Sequence, residues 1–309
     1  MNVLVFVEFK DGQPLSGCLE VLTPAKTLGD ALAVVVGDAE AAAKAAVYGV
    51  PVVQVEADAA NPDAVLGALV AVAKAKEACG VLFAGTQLGK DLAPRLAARL
   101  QSGCVTDVTG IELCEGKVVY TRPAFGGSII ETLVNHGPVQ VCTVRGGSFA
   151  RPEAGEAAPV ETLDAGELDI KVKVLEAAKE LTEAVNLESA DIIVAGGRGM
   201  GTAEDFELVK QLAAELGATV GASRPAIESG WVSRAHQVGQ SGKIVAPKLY
   251  IACGISGAMQ HISGIMASKY IVAINKDPDA SIFGIADLGI VGDAKQIIPL
   301  LIEEIRKRK

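Results

Sequence analysis

Aromatic side chains make up 4% of this 309-residue sequence, and histidine occurs three times. His136, His236 and His261 stand in unrelated settings, which argues against a zinc site and a serine-type triad. H-E-x-x-H, G-x-S-x-G and the P-loop signature are all missing, so no metalloprotease, α/β-hydrolase or Walker-type chemistry is predicted. The six cysteines form no C-x-x-C pair and mostly fall in apolar runs. That pattern predicts buried thiols in a reducing, cytoplasmic setting and no metal. Positive charge is also in deficit: the net charge is −9, which argues against nucleic acid or an anionic membrane surface as partners. The basic tip Arg306-Lys307-Arg308-Lys309 reads as a solvated helix end. Asn2 leads straight into the run Val3-Leu4-Val5-Phe6-Val7, so no signal peptide is expected. One long window, Leu249 to Ser268, has no charge other than a possible one on His261. Its Gly, Ser, Gln and His content predicts buried core rather than a membrane span.

What the sequence does have is Ala, Val and Gly in alternating β and α patterns. Half of it is hydrophobic and 21% is charged, enough for a sizeable core. Runs at Val3–Phe9, Ala31–Val36, Pro51–Val55 and Gly80–Ala84 read as buried strands. Helical patterns at Ala39–Tyr48, Pro62–Cys79 and Lys90–Leu100 separate them. Asn61-Pro62 is an N-cap with Pro at the first helical position. Repeated β-α-β units predict a parallel sheet with right-handed crossovers. From Cys104 to Val144 the helical period is lost, and short runs at 105–113, 117–121, 128–133 and 139–144 predict extra, partly antiparallel strands. Gly146–Gly166 reads as a surface excursion, and Ile170–Val174 alternates as an edge strand would. The length predicts two α/β domains, 1–186 and 187–309, the second doubly wound and Rossmann-like.

The chemistry concentrates in the second half. Strand Asp191–Ala195 runs into Gly196-Gly197-Arg198-Gly199-Met200-Gly201. This is either a tight strand-to-helix turn or a loop that lets backbone approach a phosphate while Arg198 forks onto it. Gly221-Ala222-Ser223-Arg224-Pro225 follows a second strand, at the strand end where doubly wound sheets bind ligands. Arg224 is there a surface ion pair or a fixed cation. Gln237-Val238-Gly239-Gln240-Ser241-Gly242-Lys243 supplies uncharged donors and acceptors suited to a heterocycle. Strand Leu249–Ala252 then turns at Gly254-Ile255-Ser256-Gly257, where a helix is expected to start. His261 would lie one or two turns inside that helix, as a structural residue or a ligand contact. Asn275 ends a strand and could reach a sugar or base, Asp277-Pro278 reads as a turn, and Asp293 as the N-cap of the last helix or a base contact. No nucleophile with a general base is evident, a pattern that suits tuning a bound cofactor better than transforming a substrate.

These words, in this order from Ile193 to about Ile297, resemble the α subunit of electron transfer flavoprotein, in the family that includes the Fix-type flavoproteins. The first half is similar in layout alone. The resemblance implies one FAD in the second domain and a partner β subunit, which would carry AMP or a second FAD. It implies that Arg198 and Ser223 contact the phosphate and ribityl side, and that Arg224 lies against the isoalloxazine ring. Gln237, Val238, Gly239, Gln240 and Ser241 would hold the ring, with the Ser241 hydroxyl near N5 where many members carry threonine. Ser256, Gly257, Ala258, Met259, Gln260 and His261 would line the ring and ribityl chain, and Asn275, Asp293 and Ala294 the adenosine end. Arg224 and a cationic His261 would favour negative charge on a reduced flavin. The activity implied is an electron carrier between flavin dehydrogenases, such as the acyl-CoA dehydrogenases of fatty acid β-oxidation, and a quinone reductase or other acceptor. The alternatives are a subunit of an NADH-oxidising electron-bifurcating complex, or a nucleotide-binding regulatory module with no redox role.

Overall fold

The structure, a computed structural model, describes residues 1–175, 187–188 and 190–308. The chain divides into two compact units, 1–179 and 180–309. The boundary expected at 186/187 and the mixed stretch 176–185 lie outside the described residues.

In the first unit, β1 (Asn2–Phe6) stops short of the single strand expected to Phe9. The chain folds back instead as a small hairpin, β2 (Phe9–Lys10) and β3 (Gln13–Pro14). Its turn is Asp11-Gly12 with φ of 50° and 72°, the left-handed pair that an Asp-Gly hairpin favours. Helix α1 (Ser16–Leu28) follows, with Pro24 inside it and no side-chain N-cap. Its local signals are poor and the sequence did not predict it. It forms because Cys18, Leu19, Val21, Leu22 and Ala25 are all buried in the core, and burial outweighs propensity.

The βα alternation then runs as expected through β4 (Asp30–Val36), α2 (Ala39–Ala46), β5 (Val52–Val55), α3 (Pro62–Ala75), β6 (Gly80–Ala84) and α4 (Gln87–Arg99). Asn61 caps α3, accepting from the Asp63 and Ala64 amides. Beyond it come β7 (Cys104–Val108), β8 (Gly110–Cys114), β9 (Lys117–Ala124), β10 (Ile129–Val134), β11 (Gln140–Val144) and β12 (Val160–Thr162). Only β8, β9 and β10 form the antiparallel sheet. Strand β11 inserts between β6 and β7 in a parallel sheet of order β12-β5-β4-β1-β6-β11-β7.

The edge strand of that sheet is β12, inside the stretch read as a surface excursion. Residues 170–174 are irregular, contrary to the expected edge strand. Their backbone is met by side chains instead: Asp63 accepts from the Lys171 and Val172 amides, and Asn61 Nδ2 donates to the Val172 carbonyl. A backbone already hydrogen-bonded in this way has no need of a ladder.

The second unit is a five-stranded parallel sheet of order β14-β13-β15-β16-β17. Its strands are β13 (Ile192–Gly196), β14 (Thr219–Ala222), β15 (Leu249–Cys253), β16 (Ile271–Asn275) and β17 (Leu288–Val291). Along β15 the side chains alternate. Ile251 and Cys253 face α5 (Ala203–Leu216) and α8 (Ala294–Arg308), while Tyr250 and Ala252 face the other way. Among the described residues that other face carries no long helix. It is covered by irregular chain carrying Val238, Val245, Ile255, Ile265 and Ile282, together with the one-turn helix α7 (Met259–Ile262). On the first face lies α6 (Arg224–Glu228), which buries Ala226. Among the described residues the sheet thus has helices on one face and mainly loops on the other.

All six cysteines are free. Among the described residues no helix is long and apolar enough to cross a membrane, and no cluster of His, Cys, Asp and Glu is placed to hold a metal.

Candidate functional site

A cavity of about 710 Å³ opens at the C-terminal ends of β13, β14, β15 and β16, within the roughly 300–1,000 Å³ typical of small-ligand sites. Strand β13 is first in its unit and has β14 on one side and β15 on the other. The chain reverses its direction of winding there, which leaves a crevice in open α/β sheets.

After β13, Arg198 and Gly199 line the cavity. The glycines of this turn are required by packing: the Gly199 amide donates to the Gly254 carbonyl at 2.9 Å. A Cβ on Gly197 or Gly199 would sit 2.4 or 2.6 Å from that same oxygen. The turn is therefore a close seam between two strand ends that leaves Arg198 exposed at the cavity. Arg198 has no ion pair among the described residues.

After β14, Ser223 and Arg224 both line the cavity. Ser223 occupies the N-cap position of α6 but makes no side-chain cap hydrogen bond. Its hydroxyl is not spent on the helix. Arg224 pairs with Glu228 at 2.8 Å, both side chains more than half exposed. Such an i,i+4 pair is worth at most about 0.5 kcal/mol, so an anionic ligand can compete for the guanidinium.

The loop 237–243 is stitched from both sides. The Val238 amide donates to Ala222 O and the Gln240 amide to Gln260 O. Gly239, at φ 132°, has space for no side chain against Gln260 O. Val238, Gly239, Gln240 and Ser241 reach the cavity; Gln237 does not. Gln237 is buried, and its Nε2 donates to Ser241 Oγ at 2.9 Å. In this arrangement it supports Ser241.

After β15 the expected helix start is absent. Residues 254–258 are irregular, and α7 begins only at Met259 and lasts one turn, too short for an appreciable dipole. Ser256, Ala258, Gln260 and His261 still face the cavity. Met259 is exposed and points elsewhere. Gly257, at φ 86°, packs on the Ile282 backbone, where a Cβ would lie 2.2 Å from the Ile282 nitrogen.

His261 Nε2 lies 3.0 Å from the Tyr250 hydroxyl, while Nδ1 is buried with no hydrogen-bond partner. Burial pushes the imidazole pKa down to about 4, and the Val238 backbone acts weakly the other way. Desolvation thus favours the uncharged ring at neutral pH in this site without ligand.

At the end of β16, Asn275 lines the cavity but is largely engaged in structure. Its Nδ2 donates to Ile255 O and its Oδ1 accepts from the Asp277 amide. Asp293 caps α8 through the Lys295 amide. Asp293 and Ala294 line only a small adjoining recess, which shares Gly199, Gly254 and Asn275 with the main cavity. The lining residues that the sequence reading did not assign to the ligand are Gly199, Pro225, Gly254, Ile255, Asp277 and Ala280. Gly199, Pro225, Gly254 and Ile255 lie inside singled-out motifs, whereas Ala280 carried no signal at all.

These residues suit an FAD. From Ser223 after β14 to Asn275 at the end of β16 the site crosses four neighbouring strands, roughly 15 Å, and the recess at Asp293 extends it to a fifth. That is a long, narrow footprint appropriate to an extended dinucleotide. Two cations, Arg198 and Arg224, and three serine hydroxyls line the cavity, and one buried ring nitrogen lacks a partner.

The comparisons agree with the geometry. A family model described as "Electron transfer flavoprotein FAD-binding domain" matches residues 186–266, and one described as "Electron transfer flavoprotein domain" matches residues 3–168. The second match extends the family to the first unit, where the sequence reading found similarity in layout alone. The chain is similar to "Electron transfer flavoprotein subunit alpha" of Thermoanaerobacterium thermosaccharolyticum, at 43% identity over 100% of this chain and 98% of the relative. It is similar to the protein of the same name from Bacillus subtilis, at 38% identity over 99% and 98%. "Protein FixB" of Clostridium saccharobutylicum is 48% identical over 74% of this chain and 70% of the relative.

Proposed function

The chain belongs to the electron transfer flavoprotein family as an α subunit, and on that premise we propose that it binds one FAD in the cavity and serves as a carrier of electrons. The observation that carries this reading is the donor set: two exposed cations, Arg198 and Arg224, and a buried neutral His261 line one cavity that contains no nucleophile with a general base. Such a site can hold and tune a cofactor, but it offers no group to attack a substrate.

Arg198 and Ser223 would hold the phosphate and ribityl side, and Arg224, released from Glu228, would favour negative charge on the ring. Ser241, steadied by Gln237, would present its hydroxyl towards N5, and His261 would meet the pyrimidine side. The bound flavin would supply the reversible acceptance and donation of electrons. Asn275, and more distantly Asp293 and Ala294, would border the adenosine end.

The first domain, taken as residues 1–186, would pack on a β subunit carrying AMP, and the second, 187–309, would hold the FAD. Electrons would come from flavin dehydrogenases such as acyl-CoA dehydrogenases and pass to a quinone reductase or another acceptor, in the cytoplasm.

The test is co-purification with the partner subunit followed by cofactor extraction. One FAD and one AMP per heterodimer supports the carrier. Two FAD would move the assignment to an NADH-oxidising bifurcating complex, and no flavin would leave a nucleotide-binding regulatory module. Within the site, Arg224→Ala is expected to lower the reduction potential of the bound flavin. An unchanged potential would remove Arg224 from the charge-stabilising role.

A further inference from the structure

Tyr250 is fully buried on the loop-covered face of the sheet and does not line the cavity. Its hydroxyl lies 3.0 Å from His261 Nε2, its one hydrogen-bond partner among the described residues. The two rings stand 6.1 Å apart with a 57° tilt. A neutral imidazole carries one proton, and the shared hydrogen bond can be made in two ways.

If Nε2–H donates to the phenol oxygen, the Tyr250 O–H is left without an acceptor and Nδ1 is a bare lone pair with no donor. Two buried polar groups then go unsatisfied. If the Tyr250 O–H donates to Nε2, the proton sits on Nδ1 and only that one N–H is unmatched. An unmatched buried polar group costs about 1–3 kcal/mol, so the second arrangement is favoured.

We infer that Tyr250 donates its O–H to His261 Nε2 and thereby holds the imidazole as its Nδ1–H tautomer, with Nδ1 making no hydrogen bond among the described residues. Tyr250 is thus a positioning residue. The Nδ1–H is the group that an oxygen of a bound ligand, such as a ring carbonyl, would satisfy. The ligand half of this statement rests on the FAD reading above; the tautomer half does not.

The experiment is ¹⁵N NMR of the full-length chain labelled at histidine, with and without FAD. His261→Gln identifies the His261 signals among the three histidines. The expected result is a protonated Nδ1 and a hydrogen-bonded, unprotonated Nε2 in both samples. In Tyr250→Phe, which keeps the ring in the core, the Nδ1–H preference is lost and the imidazole titrates at higher pH. A protonated Nε2 in the unaltered chain overturns the inference, as does a tautomer that Tyr250→Phe leaves unchanged. If Tyr250→Phe does not fold, the signals of the unaltered chain still decide. Failure of the chain co-purified with its partner subunit to hold FAD overturns the flavin reading, while the flavin-free spectrum reports the tautomer independently.

Discussion

The two units are built from the same parallel-sheet alternation and differ in what happens at the strand ends. In the first unit the helices that follow β4, β5 and β6 are capped by side chains: Asp38 on the Ala41 amide, Asn61 on Asp63 and Ala64, and Thr86 on Gly89. In the second, the segments after β13, β14 and β15 begin without a side-chain cap at Gly197, Ser223 and Ala258. Glycines bring those loops into mutual contact, and the polar side chains remain at the cavity. At these strand ends the first unit spends its polar side chains on its own backbone, whereas the second leaves Ser223 uncommitted at the cavity and caps only the longer helices α5 and α8, through Thr202 and Asp293. The same fold class serves as a scaffold or as a binding site according to that choice.

The largest effect expected of a single change is at Gly257. Gly257→Val places a branched side chain at φ 86° against the Ile282 backbone, which should cost more than about 3 kcal/mol in the second unit. Gly116, at φ 76° in the first unit with open space around it, is the control. Gly116→Ala meets only the left-handed backbone penalty of about 1–2 kcal/mol. Hydrogen exchange read separately in each unit measures both, and equal costs would erase the distinction between a packed turn and an open one.

Acid should separate the units next. His261 is held neutral when folded, with its pKa pushed from 6.5 to about 4. The unfolded chain therefore takes up the proton first. Stability contributed by the neutral ring is complete above pH 6.5 and is lost as pH falls towards 4. Over that window the second unit should weaken by roughly 3 kcal/mol, and His261→Gln should flatten the slope. In the first unit Asp63 is held below the usual carboxylate range by the Arg95 guanidinium and the Lys171 and Val172 amides. It stays ionised throughout the window, so exchange protection around α3 should not follow the same curve.

The caps provide the finest test. Thr86→Ala removes a used cap and should cost the first unit about 1 kcal/mol. Ser223→Ala removes an unused one and should change stability by less than about 0.5 kcal/mol, while the chain retains less FAD through gel filtration. A stability loss at Ser223 equal to that at Thr86 would show that its hydroxyl serves the fold after all.

Most of the alternation was legible because buried parallel strands and amphipathic helices carry strong periods. Helix α1 was not, since Pro24 and the missing cap hide a segment that only burial makes helical. Residues 170–174 alternate like a strand, yet Asp63 and Asn61 take their backbone groups. At the site, the motif words marked the right loops. They did not show where individual side chains point, because adjacent residues in a tight loop face in different directions. Gln237 thus turned inwards to Ser241, Met259 outwards, and Gly257 onto Ile282.

The sequence by itself determined the fold class, the division into two units, the family, and the loops that gather at the ligand crevice. Those properties follow from composition, period and the order of motif residues, all of which are local. Only the tertiary structure decided which hydroxyls remain free, that His261 is uncharged, and that Tyr250 stands behind it. These depend on burial and on partners distant in the chain. Charge state and proton position are set by the surroundings that folding assembles around a side chain.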